Sequence, residues 1–321
     1  MKQASNKSTN EKPNSAEMQS SIEHKTIVAN GIRFHLAMSG PEDGPAILCL
    51  HGFPEGWASW RPIMERLPEA RIITPDLRGY PGSEVTAEGY DVFTLAEDVK
   101  AIIEALGLNK PLVIGHDWGG ELGWIFAHLY GELASRYVAV NATHLKTLFR
   151  AVITFDEFQP LRIPWAFAFL PPVIPELIIA NPVGRKLLKW SFLVREGRPA
   201  AMDAALVEEL VARFQKPSDV RGPIEYYRAV FWSHLKPSQQ RRLKAAYAQP
   251  IKIPVTMIWG MKDRALTSTI ALKSEQDAGC SIDWRPIDEA GHFVSLEAPD
   301  QLALEIRRLL PGKVVPHKAV A

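Results

Sequence analysis

The chain has 321 residues, and its 37 Lys and Arg nearly balance its 36 Asp and Glu for a net charge of +1, which excludes a strongly basic nucleic-acid binder. Hydrophobic residues make up 46% and charged residues 23%, which excludes an intrinsically disordered chain. Cys49 and Cys280 are too few and too far apart for a disulfide framework or a metal knuckle, and they fit a reducing, cytoplasmic compartment.

At about 150 residues per domain the length suggests roughly two domains. Residues 1–22 are polar, rich in Ser, Asn and Lys, and lack the apolar segment of a signal peptide, so they read as a disordered tail. Short β-branched runs that alternate with helical patterns predict an α/β fold with a mostly parallel sheet flanked by helices. Six strands are expected over 24–29, 32–39, 46–50, 71–75, 111–116 and 136–141. Between them, Leu95 to Leu106 has apolar residues at helical spacing and ends at Gly107, a good C-cap.

Two of these strands run into motifs. The third leads into His51-Gly52-Phe53-Pro54-Glu55, where the isomer of the bond before Pro54 is open. His51 and Glu55 read as structural hydrogen-bonding residues there, and Asp76-Leu77-Arg78-Gly79-Tyr80 reads as a turn near the site. The fifth strand runs into Gly115-His116-Asp117-Trp118-Gly119 and then a helix. This is a strand-to-helix elbow of the G-x-nucleophile-x-G kind, with Asp in place of Ser. It lifts the Asp117 carboxylate above the carboxyl end of the sheet, where ligand sites of α/β proteins lie. The competing reading is that Asp117 simply caps the helix.

From 144 to 250 the alternation stops, and helix-like segments with prolines take over, clearest over Asp203–Phe214 and Pro223–Leu235. We read this block as a helical cap inserted into one discontinuous core made of 23–143 and 251–321. Within it, Pro164 to Ala180 is apolar, but Pro171, Pro172, Pro175 and Glu176 argue against a membrane span. Two more strands are expected over 254–259 and 282–287, and a last helix over Pro299–Leu310. Asp263 follows the seventh strand and His292 lies in the loop after the eighth. The order Asp117, Asp263, His292 is nucleophile, acid, histidine, the chain order of an α/β-hydrolase triad.

The residue types fix the chemistry this triad suits. A carboxylate with a pKa of about 4 needs no base to become a nucleophile, and it can attack an sp³ carbon to form an ester. His292 can then activate water against that ester, with Asp263 orienting its ring. The backbone N–H groups of Phe53 and Trp118 are the expected oxyanion donors. Epoxides and alkyl halides are the natural substrates of such a scheme.

H-G-F-P-E-x-W-x-S-W-R, D-L-R-G-Y and G-H-D-W-G-G together resemble the epoxide hydrolases of the α/β-hydrolase fold, over roughly residues 23 to 311, with haloalkane and haloacetate dehalogenases as close relatives. The resemblance implies an eight-stranded sheet and two cap tyrosines that hydrogen-bond the epoxide oxygen. Tyr227, before Arg228, matches one of them, with Tyr226 as the alternative. The position of the other, in the aromatic run ending at Pro175-Glu176, falls on Trp165, a departure from the family pattern. Trp118 and Trp165 could instead form the indole pair that holds a halide, which makes haloalkane dehalogenation the second reading. Haloacetate dehalogenases carry arginines where this chain has Trp118 and Glu121, which disfavours a haloacid substrate. A non-catalytic receptor on the same fold is a third reading.

The apolar residues Trp165, Phe167, Phe169, Leu170 and Phe231 predict a hydrophobic small-molecule substrate, with Phe169 in the binding set. No cofactor or metal is implied, since His51, His116 and His144 lack ligand spacing. Water is the expected co-substrate, no membrane or nucleic-acid partner is indicated, and a homodimer is left open.

Overall fold

The computed structural model describes residues 22–194 and 202–311. The polar tail expected over 1–22 lies outside the described residues except for Ile22. Eight strands form one sheet: β1 Glu23–Ala29, β2 Ile32–Ser39, β3 Ala46–Leu50, β4 Arg71–Pro75, β5 Leu112–His116, β6 Arg136–Val140, β7 Val255–Gly260 and β8 Ile282–Ile287. Their order is β1-β2-β4-β3-β5-β6-β7-β8. Strands β3 to β8 pair in parallel, while β1 and β2 form an antiparallel hairpin, and β2 joins β4 antiparallel. That hairpin turns on Asn30 and Gly31, both with positive φ (45° and 76°), the geometry a tight two-residue hairpin requires.

The central strands are buried on both faces, which is why they read as continuous apolar runs. Alternation still sorts their side chains into two cores. Leu48, Val113 and Ala139 enter one, whereas Ile47, Cys49, Ile114 and Val138 enter the other. Helices α1 Val92–Ala105 and α2 Trp118–Tyr130 supply Leu95, Val99, Ile102, Leu122 and Ile125 to the first core. Helix α10 Pro299–Leu309 supplies Leu302 and Ile306 to the second. Asp91 starts α1 three residues ahead of the expected apolar run by accepting the backbone N–H of Phe93 and Thr94.

Between β6 and β7 the described residues are helical and contain no strand. These helices are α3 Leu145–Ile153, α4 Pro164–Ala168, α5 Ile174–Ala180, α6 Pro182–Val194, α7 Ala204–Ala212, α8 Pro217–Leu235 and α9 Pro237–Ala246, with short turns besides. The sequence reading began α8 at Pro223, but Pro223 lies inside the helix. Asp219 accepts from the Lys216 backbone and Pro217 occupies the first turn, so the helix starts earlier. Gly222 approaches Gly79 so closely that a Cβ would sit 2.2 Å from the Gly79 oxygen, and this packing supports the turn that Pro223 weakens. Among the described residues no helix is long and apolar enough to cross a membrane.

Candidate active site

The elbow is built by backbone crowding. Asp117 stands between β5 and α2 with φ 50° and ψ −121°, a conformation that costs energy for a non-glycine residue. Gly119 packs against β3, where a Cβ would lie 2.3 Å from the Leu50 oxygen, so only glycine lets the helix start there. The Asp117 side chain does not cap α2. Its Oδ1 instead accepts the Phe53 backbone N–H at 2.8 Å across the carboxyl ends of the strands. Trp118 begins α2, so its backbone N–H is one of the donors left without an intrahelical acceptor.

Asp263 and His292 converge on this carboxylate from β7 and β8. His292 Nδ1 lies 2.8 Å from Asp263 Oδ2, and its Nε2 lies 3.4 Å from Asp117 Oδ2. Burial alone would favour the neutral imidazole, but the Asp263 charge and the bond to Asp117 hold the His292 pKa well above its ordinary value. Burial would likewise favour the neutral acid at Asp117. The adjoining His292, the charge of His116 and the Phe53 N–H outweigh it and lower the Asp117 pKa. Asp263 is also lowered, against its own burial, by His292, Asn141 and the backbone.

A set of buried polar residues braces these groups. Asn141, directly after β6, donates to Asp263 Oδ2 at 2.7 Å and accepts the Gly260 N–H at 2.7 Å. The Ala265 and Leu266 N–H groups donate to Asp263 Oδ1 at 2.8 and 2.9 Å. Glu55 Oε2 accepts the Gly52 N–H at 2.6 Å and faces His116 Nδ1 at 2.9 Å, while His116 Nε2 meets the His292 carbonyl oxygen at 2.8 Å. The loop carrying Phe53 is thereby tied to the loop carrying His292, and its Phe53–Pro54 bond is cis. His51 accepts the Leu77 N–H and faces the Gly52 oxygen, as a structural residue does. Sequence reasoning gave Asn141 and His116 no role at the site. Their position at the carboxyl ends of β6 and β5 was the available signal.

A cavity of about 850 Å³ opens over Asp117, and Trp118, Trp165, Phe169, Tyr227 and His292 all line it. Tyr227 packs edge-on against Trp118 and Phe169, with ring centroids 4.8 and 5.1 Å away. Tyr226 does not belong to this set. It is fully buried on the other side of α8, where its hydroxyl donates to the Arg78 carbonyl oxygen at 2.9 Å. The expectation that Tyr226 can stand in for Tyr227 at the substrate is therefore corrected: consecutive helical residues point about 100° apart, and α8 turns only one of the pair to the cavity.

The residue after Tyr227 has a structural task the sequence did not disclose. Arg228 pairs with Glu176 (2.6 and 3.1 Å) and donates to the backbone oxygens of Phe169 (3.0 Å) and Pro171 (2.5 Å). The Tyr-Arg pair of α8 and the Pro-Glu pair of α5 thus form one buried fork that fixes the cavity wall. Among the described residues no group of three His, Cys, Asp or Glu is placed to hold a metal.

Comparison with known proteins agrees with this architecture. Residues 45–299 match the family described as alpha/beta hydrolase fold. The AB hydrolase superfamily protein YfhM of Bacillus subtilis is 33% identical over 87% of this chain and 96% of its own length. Epoxide hydrolase 4 of Mus musculus is 30% identical over 85% of this chain and 75% of its own. The crystal structure of epoxide hydrolase VrEH1 from Vigna radiata superposes with a TM-score of 0.74 at 25% identity, over 90% of this chain and 98% of that one. The chain belongs to the alpha/beta hydrolase family and, within it, to the epoxide hydrolases.

Proposed function

We propose that the protein opens hydrophobic epoxides to vicinal diols through a covalent ester on Asp117. The observation that carries this reading is the pairing of an elbow-mounted Asp117, its pKa lowered, with a cavity that Tyr227 helps to line. In the first step an Asp117 oxygen attacks a ring carbon, the C–O bond breaks, and the departing oxygen takes the Tyr227 proton. A hydroxyalkyl ester and a phenolate result.

Forming the ester removes the negative charge on Asp117. The imidazolium of His292 then keeps only Asp263 as a close anionic partner, its pKa falls, and its proton passes through solvent to the Tyr227 phenolate, which leaves neutral His292 as the base. His292 deprotonates a water, and the hydroxide attacks the ester carbonyl. The oxyanion is held by the Phe53 and Trp118 N–H groups, a contribution of about 100- to 1000-fold for each such donor. Collapse releases the diol as His292 gives its proton to the departing alkoxide, and the new Asp117 acid re-ionises, its proton returning His292 to the imidazolium. The substrate's apolar part would sit against Trp165 and Phe169. In this scheme residues 144–250 act as the cap that excludes bulk water, and the Trp165 N–H serves as the second donor at the position where the family resemblance implies tyrosine.

Single-turnover hydrolysis in ¹⁸O water tests the scheme, with an epoxide panel run beside a haloalkane panel. The expected result is diol formation, one solvent oxygen in the Asp117 carboxylate, and loss of turnover in Asp117→Asn. Full activity in that variant overturns the reading. Halide release without diol formation, abolished in Trp165→Phe, would assign the site to dehalogenation.

A further inference from the structure

One buried acid in the cavity has no part in that scheme. Glu121 lies one helical turn beyond Asp117 on α2, lines the same cavity, and is 5% exposed. The only hydrogen bond to its carboxyl among the described residues is a long one, from Thr143 Oγ1 to Oε1 at 3.5 Å, and Oε2 has no partner. The groups around it supply no positive charge. Asp117 lies on its own helix, the Tyr137 hydroxyl is engaged by the Gly120 carbonyl oxygen at 2.5 Å, and the buried Tyr247 lies beyond α9. Leu145 and Leu148 of α3 line the cavity beside it. Burial first, and the Asp117 charge second, push the Glu121 pKa well above the carboxylate range. Burial thus favours the neutral carboxyl, a form with both a donating O–H and an accepting C=O.

A carboxyl without a settled partner is costly in such a wall, and an apolar side chain would fill the position without that cost. We propose that Glu121 is a specificity residue that hydrogen-bonds an oxygen function of the substrate, a hydroxyl or carbonyl, about one helical pitch (~5 Å) from the carbon Asp117 attacks. The preferred substrate is then an oxygenated epoxide and not a bare hydrocarbon one. This rests on the epoxide reading of Asp117, but the oxygen preference is separable from it.

The test compares two 1,2-epoxyalkanes of equal length, one carrying a mid-chain hydroxyl, on the wild type, Glu121→Leu and Glu121→Gln. The ratio of kcat/KM within each protein cancels any general loss from the substitution. The wild type should favour the hydroxylated epoxide by about 10-fold or more, Glu121→Leu should bring the ratio near one, and Glu121→Gln, which keeps a donor and an acceptor, should preserve most of it. Equal ratios in the wild type and Glu121→Leu overturn the proposal. Binding of a mid-chain alkanol and the matching alkane, followed by tryptophan fluorescence, repeats the comparison without turnover. If neither epoxide is hydrolysed, the epoxide reading fails, and the binding ratio alone decides the role of Glu121: selective alkanol binding lost in Glu121→Leu supports it, and equal binding overturns it.

Discussion

The Tyr226 hydroxyl donates to the Arg78 carbonyl oxygen at 2.9 Å, which ties α8 to the turn after β4 and withholds this phenol from the cavity. Its neighbour Tyr227 lines the cavity instead. Phenylalanine at the two positions should therefore give opposite phenotypes. Tyr226→Phe leaves a buried carbonyl unsatisfied and should cost about 1–3 kcal/mol of stability, with kcat within a few-fold of wild type. Tyr227→Phe should lower kcat for epoxides by about 100-fold, far more than Tyr226→Phe does. Thermal melts and steady-state kinetics on both variants check this pairing.

The charge switch proposed for His292 has a direct readout. Two carboxylates raise its pKa well above the ordinary value in the resting protein. Asp117→Asn mimics the neutral ester and should move the His292 titration to lower pH, followed by NMR of its ring protons. The linkage has a definite sign. A raised folded pKa stabilises the protein fully below the unfolded value of about 6.5, and that stability is lost as pH rises through the folded value. Asp117→Asn should shrink this contribution, so the stability gap between the wild type and Asp117→Asn should narrow at high pH. An unchanged His292 titration would leave the switch without support.

Local signals made the frame readable in advance. All eight strands lie within a residue or so of the runs 24–29 to 282–287, and the central ones stand out as short apolar runs bounded by turn residues. The elbow announced itself through Gly115 and Gly119, and the order of residues 117, 263 and 292 indicated that they would meet. What stayed hidden depends on contacts distant in the chain. His116 meets Glu55 across 61 residues, Asn141 meets Asp263 across 122, and Arg228 meets Glu176 across 52. No periodicity encodes such pairs. The choice between Tyr226 and Tyr227 was hidden for a related reason, since it depends on how α8 is rotated against Gly79 and Arg78.

Asn141 bridges Asp263 and the Gly260 N–H, so its two replacements separate positioning from charge. Asn141→Ala removes one donor to the carboxylate and should lower kcat by about 10-fold through looser orientation of His292. Asn141→Asp places a second carboxylate beside Asp263, where the two repel and one retains a proton. Its activity at neutral pH should be lower than that of Asn141→Ala, and its pH profile should shift. The two profiles, measured on one substrate, check both expectations.

Arg228 provides the most demanding test of the cavity wall. Its guanidinium is nearly buried, fits Glu176 in a fork, and also satisfies the Phe169 and Pro171 carbonyl oxygens. Arg228→Met removes these four contacts and the 2.8 Å bond to Glu225, and it strands the Glu176 charge, so it should destabilise the protein by about 3–5 kcal/mol. Arg228→Lys keeps the charge but cannot reproduce the planar fork, so it should recover only part of that loss. Because the fork anchors the backbone at Phe169, and the Phe169 ring packs against Tyr227 at 5.1 Å, the lysine variant should raise KM more than it lowers kcat. Adding Glu176→Met to Arg228→Met removes the stranded charge and should regain stability over the single variant. Chemical denaturation of the four proteins, with kinetics on the lysine variant, measures each step. A double variant no more stable than Arg228→Met would show that the carbonyl contacts, and not the ion pair, hold the wall.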